Sequence, residues 1–107
     1  MSRVALRVPL LAGLALLLLP AVLVAHGGLK SSNPRGGARL DRAPTELVLD
    51  FTEASPLSVT RARLVGADSV PVTLGALAHV AGSGERSVRA AITGPLAAGT
   101  YAVEWQT

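Results

Sequence analysis

Cysteine is absent from the 107 residues, histidine occurs twice, and aromatic side chains make up 3% of the chain, as Phe51, Tyr101 and Trp105. The lack of cysteine excludes a disulfide scaffold, a thiolate zinc site, an iron–sulfur cluster and a cysteine nucleophile. Two histidines and no Gly-x-Ser-x-Gly elbow leave Ser31 and Ser32 without the partners of a serine nucleophile. So few aromatics restrict the large core side chains to those three and the Leu/Val set.

What the chain does contain is unevenly distributed. Residues 1–25 hold 19 of the apolar side chains, both Arg3 and Arg7, and no acid. Residues 26–107 keep 8 Lys/Arg against 7 Asp/Glu, a net charge of +1 compared with +3 for the whole chain. The sequence pI of 10.6 is thus no argument for nucleic-acid binding, because two of the three net charges precede a Leu run.

Arg3 and Arg7, the apolar stretch 10–19 broken by Gly13, then Pro20 and a run ending at Ala25 form the pattern of a secretory signal peptide. We expect a helical leader at 1–25, with a mature domain at 26–107 exported to the periplasm or secreted; an uncleaved membrane anchor is the competing reading. Cleavage after Ala25 makes His26 the N-terminal residue. Its free α-amine and imidazole Nδ1 then chelate one metal ion in a six-membered ring, and an amine of pKa about 8 gives up its proton readily when a metal competes. The plainer alternative is that any residue can follow a cleavage site.

Gly and Pro supply 15 of residues 26–107, and no segment keeps an apolar period of 3.6. Residues 46–52 alternate, with Leu47, Leu49 and Phe51 on one face. Residues 59–65, the set Val70, Val72 and Leu74, the run 87–92 and the run 100–106 alternate likewise. Short strands at this spacing predict one antiparallel β-sandwich. Trp105 falls in the last alternation, two residues before the chain stops, so we expect the sandwich to lack its closing strand and to expose an edge there.

The segment His26-Gly27-Gly28-Leu29-Lys30-Ser31-Ser32-Asn33-Pro34, followed by Gly36-Gly37-Ala38, Ala43-Pro44 and Leu47-Val48-Leu49-Asp50-Phe51-Thr52-Glu53, resembles the start of the CopC family of periplasmic copper-resistance proteins. Leu96-Ala97-Ala98-Gly99-Thr100-Tyr101-Ala102-Val103-Glu104-Trp105 resembles that family's Leu-x-x-Gly-Thr-Tyr-x-Val-x-Trp strand. The resemblance implies an immunoglobulin-like or cupredoxin-like sandwich that binds copper(II), as a carrier or buffer and not as an enzyme. It implies a monomer with a membrane copper transporter as possible partner and no nucleic acid. It carries over His26 as the N-terminal ligand and Glu53 as the strand-end oxygen ligand. The family's Asp-x-His motif, which follows the Trp strand, has no counterpart before Thr107. Copper(II) favours a tetragonal set of nitrogen and oxygen donors, and the two nitrogens of His26 with Glu53 fill only part of it. The one methionine is Met1, which excludes the thioether copper(I) site that some members carry.

Other residues carry plainer readings. His79 lies in a segment without motif and reads as a loop or strand-edge histidine. Arg35, Arg39 and Arg42 read as a solvated turn, interrupted by Asp41, and Glu53 would pass for a solvated strand-end acid without the resemblance. The alternative function is a noncatalytic immunoglobulin-like module that binds an envelope partner and no metal. A copper enzyme with an N-terminal histidine brace ranks third, because only His79 could complete the brace.

Overall fold

The computed structural model describes residues 2–8 and 28–107. These form eight strands: β1 (Ser2–Val8), β2 (Leu29–Asn33), β3 (Glu46–Phe51), β4 (Arg61–Val65), β5 (Pro71–Val72), β6 (Ala78–His79), β7 (Ser87–Ala91) and β8 (Gly99–Gln106). Two short 3-10 turns, Leu57–Val59 and Ala67–Ser69, interrupt them, and there is no α-helix among the described residues. The strands pair antiparallel in two sheets of four, ordered β1-β8-β4-β5 and β2-β3-β7-β6.

The sheets bury their facing sides against each other. Leu47, Leu49 and Phe51 of β3 and Val88 of β7 meet Leu64 of β4 and Tyr101, Val103 and Trp105 of β8 in one cluster that also takes in Val4 and Leu6 of β1. Phe51 and Trp105 pack edge to face with ring centroids 5.2 Å apart, a favourable geometry for two aromatic quadrupoles. The period-2 alternation read in the sequence is therefore the inward face of each long strand. Tyr101 donates from Oη to the Ala97 carbonyl at 2.5 Å, tying the turn before β8 to its strand as in the tyrosine corner of immunoglobulin-like domains. Gly66 leaves the ring its space, since a Cβ there would lie 3.2 Å from Tyr101 Cε2.

Three differences from the sequence expectation stand out. Residues 2–8, expected to begin a helical leader, form β1 along the length of β8, with Ser2 opposite Trp105, Val4 opposite Val103, Leu6 opposite Tyr101 and Val8 opposite Gly99. Their own alternation explains this, because Val4 and Leu6 are 5% and 1% exposed and an extended chain puts both on the core face. The β8 edge expected to be bare is thus paired; the rest of the expected leader, residues 9–25, lies outside the described residues. Second, Leu29–Asn33 is a strand with little burial, held by pairing to β3. Third, of the set Val70, Val72 and Leu74, only Val72 lies in a strand, β5. Val70 is 59% exposed, after a turn in which Asp68 and Ser69 take positive φ.

Candidate functional site

Backbone pairing gathers the end of β3 and three other segments at one pole of the sandwich. As β3 runs out, Phe51 N–H donates to the Arg86 carbonyl at 2.8 Å and Thr52 N–H to the Gly28 carbonyl at 2.9 Å. Thr52 and Glu53 thereby lie between the approach to β2 and the approach to β7. Glu53 itself is exposed, and its carboxylate is available to solvent.

The turn that follows is pinned through Ser55, whose side chain is 1% exposed. Ser55 N–H donates to the Glu85 carbonyl at 2.8 Å, and Ser55 Oγ donates to the Glu53 carbonyl at 3.1 Å. His79 Nε2 lies 2.8 Å from the Ser55 carbonyl. A carbonyl only accepts, so Nε2 carries a proton and donates. His79, read from the sequence as a strand-edge residue, sits on the short edge strand β6 and fixes the turn that carries Glu53. Its partner lies 24 residues away, so no local pattern could have revealed the contact.

The end of β8 reaches the same pole. Thr60 Oγ1 donates to the Pro56 carbonyl at 2.7 Å and shares a 2.8 Å hydrogen bond with Thr107 Oγ1. Trp105 packs on Phe51, two residues before Glu53. Its Nε1 is buried without a hydrogen-bond partner among the described residues.

Of the two ligands anticipated from the sequence, Glu53 is at this pole and His26 lies outside the described residues. Gly28, two residues after His26, is bonded to Thr52. Among the described residues no group of three His, Cys, Asp or Glu side chains is placed to hold a metal ion. Arg35, Arg39 and Arg42 are all exposed, as the sequence reading had it. A separate polar group on the outer face of the β2–β3–β7 sheet, with Asp50 accepting from Ser31 Oγ at 2.8 Å and from Ser87 Oγ, was not anticipated. It joins three neighbouring strands and has no motif.

Comparison with known proteins supplies what the geometry of the pole leaves open. The family model of the CopC domain matches residues 29–107. Among solved structures, the chain is similar to PcoC, a methionine-rich copper resistance protein from Escherichia coli, with 32% identity and a TM-score of 0.57 over 76% of this chain and 81% of that one. No curated protein matches significantly. PcoC is described as methionine rich, whereas this chain has one methionine, at position 1.

Proposed function

The chain belongs to the CopC family, and from that premise we propose that it is an exported copper(II)-binding protein, a carrier or buffer and not a catalyst, with its ion held at the Glu53 pole. The observation that carries this reading is the hydrogen bond from Thr52 N–H to the Gly28 carbonyl. It ties the segment that follows His26 to the residue before Glu53. Two residues of chain span at most about 7 Å, the reach this reading requires of a ligand two residues ahead of Gly28.

In this reading residues 1–25 are an export leader and residues 26–107 the mature domain. Removal of the leader frees the amine of His26, and amine, imidazole Nδ1 and the Glu53 carboxylate supply two nitrogens and one oxygen to a tetragonal ion. The remaining positions exchange with water. Carboxylate and amine ligands without a thioether favour copper(II) over copper(I). The ligands bind in their deprotonated forms, so copper affinity falls as the pH is lowered. A membrane copper transporter in the same envelope is the partner this role calls for.

The test is a copper(II) titration of the processed chain with His26 first, against a variant carrying one alanine ahead of His26. The extension removes the six-membered chelate and leaves every side chain in place, and we expect at least a tenfold loss of affinity. Equal affinity in the two proteins would sink the N-terminal chelate.

A further inference from the structure

A serine in a turn after a strand end ordinarily faces water, yet Ser55 is 1% exposed and all three of its polar groups are bonded within the protein. Its N–H donates to the Glu85 carbonyl at 2.8 Å, its Oγ donates to the Glu53 carbonyl at 3.1 Å, and its carbonyl accepts from His79 Nε2 at 2.8 Å. The partners come from three places in the chain: the end of β3, the loop before β7 and the edge strand β6. A buried polar residue is tolerated only while such bonds are made, so Ser55 holds its turn to one conformation.

What this clamp holds is the backbone of Glu53. Ahead of it Thr52 N–H donates to the Gly28 carbonyl at 2.9 Å, behind it Ser55 takes the Glu53 carbonyl, and between the two the carboxylate is exposed. A ligand on a loose turn loses backbone freedom when it meets an ion, and that loss is subtracted from the affinity. A ligand whose backbone is already fixed avoids most of it. Ser32 supplies a matched contrast: its Oγ donates to the Pro34 carbonyl at 2.9 Å, again two residues away and part-buried. It lies at the far end of the β2–β3 pair, where Ser32 faces Leu49 while Leu29 faces Phe51.

We propose that Ser55, braced by His79, is a positioning residue for copper: it fixes the Glu53 backbone so that the carboxylate meets the ion without reordering the turn. The proposal rests on the reading of Glu53 as a ligand and adds to it two residues that act through Glu53 and not on the metal. Copper affinity then depends on a hydroxyl that is no ligand, and the edge strand β6 is coupled to the pole through one hydrogen bond.

The experiment titrates copper(II) into the protein in the form its host exports, and records the electron paramagnetic resonance spectrum of each variant at one equivalent. Ser55→Ala should weaken copper at least fivefold, about the worth of one hydrogen bond, and move the spectrum toward that of Glu53→Gln. Ser32→Ala, which deletes the same kind of bond elsewhere, should change affinity less than twofold and leave the spectrum as it was. His79→Ala should weaken copper at least threefold, as loss of an outer partner does. In a Glu53→Gln background both effects should shrink below twofold, because the group being positioned is gone.

An effect of Ser55→Ala or His79→Ala that persists in full without the Glu53 carboxylate overturns the proposal, and so does an equal loss from Ser32→Ala. If Glu53→Gln weakens copper while Ser55→Ala does not, the positioning role alone is overturned. If Glu53→Gln itself changes neither affinity nor spectrum, the ligand reading fails and the positioning role falls with it. Should Ser55→Ala lose its β-sheet circular dichroism, His79→Ala on the edge strand decides by the same comparisons.

Discussion

The two sheets of this sandwich are built by different means. The β2-β3-β7-β6 sheet is organised around β3, a central strand that is paired along its length on both sides by strands from residues 29–91. The β1-β8-β4-β5 sheet is organised around β8, and one flank of β8 is covered by the N-terminal segment 2–8. The first sheet ends in a backbone-pinned pole with an exposed carboxylate. In the second, the central strand is flanked on one side by a segment that lies outside the residues of the family match. The Glu53 turn and the β1–β8 seam rest on different hydrogen bonds, and substitutions should affect them separately.

The largest effect is expected where the sheets meet. Phe51→Ala removes an aromatic side chain that is 1% exposed and packs on Trp105, and should cost about 3–5 kcal/mol in urea unfolding. A cost near that of a surface substitution would show that the two sheets do not share a core there.

Leu6→Ala in the full chain comes next and decides whether β1 is a structural member of its sheet. Its side chain is also 1% exposed, so an integrated strand should lose about 2–5 kcal/mol. If the unfolding midpoint scarcely moves, β1 lies outside the cooperative unit and the contrast between the sheets disappears.

On the other sheet, His79→Ala deletes the donor to the Ser55 carbonyl and should cost about 1 kcal/mol, the net worth of one hydrogen bond. Faster amide exchange at Ser55, with β8 unchanged, is the sign that the effect is confined to the Glu53 pole. An equal acceleration along β8 would contradict the separation.

Smallest of all, Arg3→Ala removes one of two cations from a Glu104 that keeps Arg63. The arginine is exposed, so the loss should stay under about 1 kcal/mol and shrink further in high salt. A larger, salt-independent loss would mean that Arg3 contributes through packing of its stem.

The sequence carried much of this architecture because β3 and β8 alternate without interruption, and each places three large apolar side chains on the inner face. β2 escaped notice because Leu29, Lys30, Ser31, Ser32 and Asn33 have no such alternation; pairing to β3 makes it a strand. β1 was legible in principle, since Val4 and Leu6 are separated by one residue and flanked by arginines. The Leu run behind them pointed instead to a leader, and the same residues serve either reading. At the pole, Glu53 was identified only through a family resemblance, because an exposed strand-end acid has no distinguishing local signal. The hydrogen bonds of His79, Ser55 and Thr60 that hold its turn depend on contacts across the fold, which no spacing encodes.

The central claim, that the metal-binding centre includes the N-terminal histidine at the Glu53 pole, is tested most directly by electron paramagnetic resonance of the processed chain loaded with one equivalent of copper(II). The account predicts a single tetragonal species with nitrogen hyperfine coupling, altered both by Glu53→Gln and by one alanine placed before His26. A spectrum that neither change moves would contradict it.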